Sequence, residues 1–333
     1  MQTKKLPQYA LAGLLSLGAT LANAGETEVA AAQVVGAIEG VSGVSPGQRR
    51  THTKGTCAVG KFVGNKEAAV YSRSALFSGQ PVPVIARFSL AGGNPNAADT
   101  MKSVRGMALQ FKLPGDNLHH MAMLNTPILG TATPQSFFEL MLALKADPAT
   151  GKPDPEKMKA FKANHPESLP QAEYLTSHNP PVSFANSAYW GIHTFNFINS
   201  KNKVTPVRWR FVPQDGEKAL SDAALSTAGP NFLEPALIRR TQQGPVRWDM
   251  ILTLGEPRDP ENNPTLAWPA ERQEIKVGTL SINAAMAQKG AECETVNFDP
   301  LVMADGITPS NDPVLLFRSS AYAVSYGKRL SGQ

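Results

Sequence analysis

The sequence predicts an α+β protein in which a large antiparallel β-domain carries inserted helices and ends in one closing helix. Six runs of β-forming residues indicate the β-domain, and several of them alternate apolar with polar or cationic residues, as half-buried strands do. Proline and glycine residues, 27 of each, separate these runs. The runs are 82–90, 106–113, 192–199, 207–212, 246–254 and 275–283.

Two other segments have helical spacing. Residues 134–146 place Phe137, Phe138 and three further apolar side chains on one face, and the segment from Asp312 to about Arg329 predicts the closing helix. Residues 147–181 are polar and Pro-rich, so we expect a helical or loop excursion between two groups of strands. Helices inserted into an antiparallel sheet are typical of the α+β class.

The N-terminus has the pattern of a secretory signal peptide. Lys4 and Lys5 precede a short apolar run, Tyr9–Leu21, which leads into Ala22-Asn23-Ala24. We expect cleavage after Ala24, so that residues 1–24 are the signal peptide and 25–333 form a single exported, periplasmic domain. No other apolar segment approaches membrane length, which excludes a membrane-spanning protein. The formal net charge of +5 is too small to indicate nucleic-acid binding.

The sequence contains two cysteines, Cys57 and Cys293. An oxidising compartment permits a bond between them, but two cysteines do not make a disulfide framework. The sequence therefore leaves the pairing open and favours two unpaired thiols.

One histidine, His52, lies in the basic segment RRTHTKG between Arg49, Arg50 and Lys54. No acidic residue or second histidine is close in sequence, so the segment predicts neither a metal cluster nor a catalytic dyad. Two interpretations remain. The segment is an exposed basic surface, or its arginines bind an anion while the imidazole serves a reaction beside it.

The closing helix contains a second candidate. Arg318 and Tyr322 are four residues apart and share a helix face, and Arg329 lies two turns further on roughly the same face. A cation one turn away favours the phenolate form of tyrosine, which is one of the few axial ligands of ferric haem. The alternative is an ordinary amphipathic helix with a packed tyrosine. Tyr326, the competing phenol, has Tyr322 rather than a cation four residues before it.

Together these motifs and seven others resemble the haem-containing catalase superfamily, in the family's order and over about residues 49–330. The matching motifs are R-x-x-H-x-K-G (49–55), ARFS (86–89), ADT-x-x-x-x-RG-x-A-x-x-F (98–111), NTP (125–127), HTF-x-x-x-N (193–199), VG-x-L-x-x-N (277–283), FDP (298–300), GI-x-PS-x-D (306–312) and R-x-x-x-Y (318–322). Each is weak alone, but nine in register are a specific signal. The resemblance implies a catalase-like antiparallel β-barrel of about eight strands.

The resemblance also implies a site for haem b. His52 matches the distal histidine that moves the peroxide proton, Asn125 the amide that orients peroxide, and Ser89 the hydroxyl that fixes the imidazole. Tyr322 matches the phenolate ligand of the iron, and Arg318 matches its cationic partner. The positions that match propionate-binding arginines are Arg49, Arg87 and Arg329. Phe137 and Phe138 either line the distal pocket or pack in the core. His193 matches a family position that has no catalytic role.

Three features depart from the pattern of large catalases. Thr51 replaces the usual valine before the distal histidine, which places a hydroxyl beside the iron-bound oxygen, and a similar threonine occurs in catalase-like allene oxide synthases. Ala321 and Val324 alter the proximal motif. The chain also stops at Gln333, as in the minimal members called catalase-related peroxidases, so we expect a short, wide channel to the haem.

The resulting prediction is a haem peroxidase that reduces hydrogen peroxide or organic hydroperoxides with a small organic reductant and has weak catalase activity. Two alternatives stay open: a true catalase or lipid-hydroperoxide-rearranging enzyme of the same fold, and an exported haem-binding carrier. The carrier would need Tyr322 but neither His52 nor Asn125. The sequence does not distinguish a monomer from a homodimer.

Overall fold

An antiparallel barrel of eight strands forms the centre of the protein in a computed structural model that describes residues 28–333. The strands are β1 (Gly55–Gly64), β2 (Pro81–Leu90), β3 (Arg105–Lys112), β4 (Leu118–Leu124), β5 (Tyr189–Ile198), β6 (Val204–Pro213), β7 (Val246–Leu254), β8 (Glu274–Ala287) and the short β9 (Ile307–Pro309). They pair in the order β4-β3-β2-β1-β8-β7-β6-β5, and Leu124 pairs with Trp190 to join β4 to β5. β9 adds to the outer edge of β5.

Seven α-helices lie between and around the strands in the described part of the chain. They are α1 (Ala31–Ser42), α2 (Pro134–Leu144), α3 (Pro155–Asn164), α4 (Leu169–Ser177), α5 (Asp222–Thr227), α6 (Leu233–Gln242) and α7 (Pro313–Leu330). Asp312 caps the N-terminus of α7, because its carboxylate accepts hydrogen bonds from the backbone N–H groups of Val314 and Leu315. Among residues 28–333 no helix has both the length and the apolar content needed to cross a bilayer.

The architecture confirms the predicted class and the predicted barrel. All six strand segments, the helix at 134–146, the closing helix and the helical excursion at 147–181 are present. The predicted signal peptide lies outside the described residues.

The sequence patterns did not reveal β1, β4, α1, α5 or α6. β1 has three glycines, two of which are required by close backbone contacts: a Cβ at Gly60 would lie 2.0 Å from the carbonyl oxygen of Ser281. β4 contains His119 and His120, which look like surface residues in the sequence but are buried. His120 bonds to Gln110 across the β3–β4 pair, so its imidazole keeps a hydrogen bond inside the protein.

The interior of the barrel is filled by aromatic side chains. Phe62 packs edge-to-face on Phe111 with ring centroids 5.5 Å apart, and both rings are fully buried. Gly278 makes room for Phe62, because a Cβ there would lie 2.3 Å from the tip of the ring. Burial of one such side chain stabilises the fold by about 1.5–3 kcal/mol. The barrel is therefore a packed core, and the chemistry must lie at its rim.

Cys57 and Cys293 form a disulfide, which corrects the expectation of two unpaired thiols. The bond joins β1 to a short turn before α7, with the two Cα atoms 5.6 Å apart and 236 positions apart in sequence. Both cysteines are buried with Ile85 and Phe298 in a small apolar cluster outside the barrel. The sequence could not indicate the pairing because only the fold brings these distant positions together.

We expect removal of this bond to lower stability. A Cys57→Ala/Cys293→Ala double variant should have a free energy of unfolding about 2–4 kcal/mol below that of the wild type, because the unfolded chain regains the freedom that a long cross-link removes. Urea unfolding without reductant measures the difference. Dithiothreitol should destabilise the wild type and leave the double variant unchanged, and equal effects on both proteins would contradict the prediction.

Candidate active site

The strand register gathers four sequence-distant segments at one end of the barrel. β1 begins there three residues after His52, β2 ends there at Ser89 and Leu90, and β3 begins there at Arg105. β4 ends at the same level, directly before Asn125. Antiparallel pairing thus places alternate strand starts and strand ends at the same rim. The predicted distal residues His52, Ser89 and Asn125 all lie at this rim.

His52 is held by Ser89 and by its own backbone. Its Nδ1 lies 2.9 Å from the Ser89 hydroxyl oxygen, and its backbone has a φ of 53°, a left-handed conformation that few residues other than glycine adopt. Gly106 lies behind the pair, since a Cβ there would lie 2.9 Å from the Ser89 oxygen and 3.1 Å from His52 Nδ1. The hydrogen bond at Nδ1 leaves Nε2 of the same ring available for chemistry.

The surroundings of His52 keep the imidazole neutral. Although the residue has some exposed surface, protein atoms surround its ring, and this desolvation is the main reason that the pKa of His52 is lowered to about 3. The guanidinium groups of Arg87 and Arg318 add like-charge repulsion. At pH 7 the imidazole of His52 is therefore neutral and can accept a proton.

Asn125 is fixed by two hydrogen bonds to Arg105. Its backbone N–H donates to the Arg105 carbonyl at 2.9 Å, and its side-chain oxygen accepts from the Arg105 N–H at 2.7 Å. These two bonds use the backbone N–H and the side-chain oxygen of Asn125. Within residues 28–333 the side-chain N–H₂ of Asn125 donates to no protein acceptor, so it is free to donate to a bound molecule.

On α7 the phenol of Tyr322 belongs to a chain of hydrogen bonds. Arg318 donates to the Tyr322 oxygen at 2.9 Å and to His193 Nε2 at 3.1 Å. Because arginine can only donate, His193 Nε2 is the acceptor, and Nδ1–H of His193 donates to the Asp312 carboxylate at 2.7 Å. His193 and Asp312 are both buried. The chain orients the Arg318 guanidinium toward the phenol oxygen of Tyr322.

The three predicted anion-binding arginines are held by one segment, residues 288–296. Arg87 donates to the side-chain oxygen of Gln288 at 2.7 Å, and Arg49 donates to the carbonyls of Cys293 and Val296. Arg329 donates to the carbonyls of Glu294 and Thr295, each at 3.1 Å. The Cys57–Cys293 disulfide fixes this segment, which we call the arginine-holding segment, to β1.

These arginines lack carboxylate partners. Among the described residues, Arg49, Arg87, Arg318 and Arg329 form no ion pair within 4.0 Å of a carboxylate, whereas Arg50, Arg240 and Arg272 each pair with one. Burial and the neighbouring Arg329 charge lower the pKa of Arg49 to about 10. A group of cations held close together without a directly paired carboxylate is suited to an anion with more than one negative oxygen.

The other predicted residues lie outside these networks. Thr51 is exposed, and its hydroxyl has no hydrogen bond in the described part of the chain, so its role stays a prediction. Phe137 and Phe138 are half-buried on α2, which packs against α1, α3 and α7, and neither ring stacks on another aromatic ring there. The Arg329 guanidinium lies over the ring of Tyr326, 4.6 Å from its centroid. Tyr326 therefore also has a neighbouring cation, three residues after it rather than four residues before it.

From the sequence, His193 is expected to have no catalytic role, and Gln288, Arg105 and Gly106 are assigned none. Asp312 marks only the start of the closing helix, as Asp-Pro before an apolar run does. The contacts of His193 with Asp312 and Arg318 depend on the packing of β5 against α7, which no local pattern encodes. Gln288 is an exposed-looking residue after β8, and only the fold brings it to Arg87.

The donor set is specific. Within residues 28–333 no group of three or more His, Cys, Asp or Glu side chains is arranged to hold a metal ion. Tyr322, whose phenol oxygen accepts a hydrogen bond from Arg318, can act as a single oxygen ligand. A tyrosine ligand with arginines nearby that form no ion pair fits an iron porphyrin, whose ring carries two carboxylates.

Comparison with protein families agrees with this geometry. A family model described as Catalase matches residues 24–333 of the chain. The chain belongs to the catalase family.

The relatives include short and long members of that family. The chain is 58% identical to a catalase-related peroxidase from Synechococcus elongatus, over 97% of this chain and 96% of that protein. It is 34% identical to a catalase-related peroxidase from Mycolicibacterium paratuberculosis, over 88% and 92%. A catalase from Aliivibrio fischeri is 31% identical over 85% of this chain, which spans 61% of that protein's length.

Solved structures agree on the fold. A bacterial catalase structure superposes with a TM-score of 0.78 at 24% identity, covering 86% of this chain and 58% of that one. At this identity the likeness establishes the fold alone. The barrel and the helices around it are therefore those of catalases.

Buried neutral histidines make stability depend on pH. The pKa values of His52 and His119 are lowered to about 3 by burial, so both stay neutral when folded and take a proton near pH 6.5 when unfolded. Their contribution is present above pH 6.5 and is lost as the pH falls toward 3. Between pH 6.5 and 5 we expect the free energy of unfolding to fall by about 1.4 kcal/mol per pH unit for each such histidine.

Urea unfolding at pH 5, 6 and 7 measures this slope. His52→Gln should reduce the slope by about one histidine's share, whereas Thr51→Ala, an exposed neighbour, should leave it unchanged. An identical slope in His52→Gln and the wild type would show that His52 is not buried as a neutral base.

Proposed function

We propose that the protein is a haem-dependent peroxidase that reduces hydrogen peroxide or an organic hydroperoxide with a small organic reductant and releases little oxygen. The observation that carries the proposal is the pairing of two half-sites: a guanidinium-bound phenol on α7, and a Ser-held neutral imidazole beside a free amide at the barrel rim. The Arg318 guanidinium on α7 is one of the charges that lower the pKa of His52, which supports treating the two half-sites as one site.

Haem b is the proposed cofactor. Tyr322 would ligate its iron, Arg318 would donate a hydrogen bond to the ligating oxygen, and Arg49, Arg87 and Arg329 would bind its propionates. When bound, the haem supplies an iron that takes up peroxide and stores its two oxidising equivalents. The protein contributes orientation, charge compensation and proton transfer.

Proton transfer is the proposed work of His52. With Nδ1–H donating to Ser89, the Nε2 lone pair accepts the proton of the inner peroxide oxygen and returns it to the outer oxygen, which leaves as water. The amide N–H₂ of Asn125 donates to peroxide and orients it. Gly106 and the left-handed backbone of His52 are positioning features, because they set where the ring stands.

The relatives favour this function over its alternatives. Both catalase-related peroxidases are matched over nearly their whole length, whereas the chain covers about 60% of the larger catalases. A haem carrier would have no use for the His52–Ser89–Asn125 arrangement. We also propose that the protein is exported, and the buried disulfide supports this because such bonds persist in oxidising compartments.

The activity test mixes the haem-loaded protein with hydrogen peroxide and records the oxidation of a phenolic dye and the release of oxygen separately. We expect dye oxidation to exceed oxygen release. His52→Ala should retain haem yet react with peroxide about 10²–10⁴ times more slowly in stopped-flow absorbance, because it lacks the base. Oxygen release at the rate of dye oxidation would support a true catalase, and an unchanged rate in His52→Ala would exclude the proton-transfer role.

The ligand test uses Tyr322→Phe. Loss of the phenolate should lower the haem content of the purified protein and change the ferric absorption bands, because the ring can no longer ligate iron. Tyr326→Phe, on the same helix, is the matched control and should leave both unchanged. If Tyr322→Phe had wild-type haem content and spectrum, Tyr322 would not be the ligand.

A further inference from the structure

A polar cavity of about 240 Å³ opens beside Asn125, on the side of the barrel rim that the excursion at 147–181 covers. We call it the α4 cavity, because Tyr174 of α4 lines it. Among its lining residues Arg105 is buried and Asn125 is half-buried, whereas Lys102 and Lys218 are exposed, so the two lysines mark its mouth. A cavity of ~150 Å³ holds one benzene molecule, so this one has room for a substituted single ring.

One wall of the α4 cavity is aromatic. Tyr174 and His178 stack in parallel, with ring centroids 4.1 Å apart and an interplanar angle of 16°. His178 donates from Nδ1 to the Tyr174 carbonyl at 2.8 Å, which fixes the second ring against the first. A flat, fixed aromatic wall favours a ligand that is itself an aromatic ring.

The charges of the cavity are mainly positive. Lys102 donates to the Thr176 carbonyl at 2.7 Å and retains two further N–H groups. The ammonium of Lys218 has no acceptor in the described part of the chain, and Arg105 adds a third cation below it. The carboxylate of Glu217 is the opposing charge in the lining, so the excess is two positive charges. The mouth therefore attracts an anion.

The buried end of the cavity contains a donor that the protein leaves unused. Arg105 is 2% exposed, and its two terminal nitrogens donate to the carbonyls of Ser103, Asp99 and Met101. Its Nε has no hydrogen-bond partner within residues 28–333. A buried N–H without an acceptor is costly, and a ligand oxygen or an ordered water molecule would satisfy it.

We propose that the α4 cavity binds the reducing substrate and that this substrate is a small phenol carrying a carboxylate. The carboxylate lies between Lys102 and Lys218, the ring packs on Tyr174 and His178, and the phenol oxygen lies toward Arg105 and Asn125. This inference rests on the proposed peroxidase function. In each cycle two phenols each lose one electron and one proton, and one hydrogen peroxide gains them, giving two phenoxyl radicals and two water molecules.

Binding without peroxide is the first test. Calorimetry on the haem-loaded protein compares 4-methoxybenzoate with uncharged 4-methoxybenzyl alcohol, two rings of similar size that differ in charge. We expect the benzoate to bind more tightly, and Lys102→Ala/Lys218→Ala to weaken it by roughly fivefold without affecting the alcohol. Lys201→Ala/Lys203→Ala removes the same charge at an exposed turn on β5 and β6 and should change neither affinity.

Steady-state oxidation is the second test. For 4-hydroxybenzoate, Lys102→Ala/Lys218→Ala should raise KM by roughly fivefold at unchanged kcat, and the spectral change on mixing with hydrogen peroxide should keep its wild-type rate. Salt should reduce the difference from wild type. For 4-hydroxybenzyl alcohol the variant and the wild type should not differ.

The outcomes separate this inference from the proposed function. If the lysine variant binds benzoate and oxidises hydroxybenzoate as the wild type does, the α4 cavity is not the reductant site, and the peroxidase activity stands. If the wild type binds benzoate through these lysines but oxidises no phenol with peroxide, the anion site stands and the peroxidase function is wrong. Equal weakening in Lys201→Ala/Lys203→Ala would reduce the effect to net charge and overturn the site.

Discussion

Closure of the barrel is the constraint on which the rest of the structure depends. The pairing of Leu124 with Trp190 joins β4 to β5 and leaves no free edge between them. Closure fixes the register of the strands, and the register decides which residues meet at the rim. His52, Ser89 and Asn125 come from three different segments: Ser89 lies in β2, Asn125 directly follows β4, and His52 lies three residues before β1. A slip of one residue would turn each side chain to the opposite face.

Charge is the second constraint, and it opposes stability. Guanidinium groups held near one another repel, and their burial costs free energy unless hydrogen bonds compensate. The protein supplies backbone carbonyls from the arginine-holding segment in place of carboxylates, and a disulfide holds that segment to β1. Neutral acceptors keep the arginines in place without neutralising them. The protein thus retains positive charge for an anionic partner.

Surrounding contacts also hold the left-handed backbone at His52. A non-glycine residue at φ 53° costs free energy and persists only where the surrounding contacts enforce it. The Ser89 hydroxyl, the missing Cβ of Gly106 and the Arg87 guanidinium, which donates to the His52 carbonyl at 2.6 Å, enforce it here. None of these groups would fix the ring by itself. Together they fix one ring in one orientation.

The sequence by itself determined the class, six strands and the closing helix, because periodicity is a local property of the chain, and its motifs predicted the main site residues. It placed Arg318 and Tyr322 on one face because helix geometry fixes the i to i+4 relation. Only the tertiary structure decided that Cys57 bonds to Cys293, that His193 links Asp312 to Arg318, and that Gln288 reaches Arg87. Such contacts join positions far apart in the chain, and only barrel closure and helix packing bring these positions close enough to form a disulfide or a hydrogen bond.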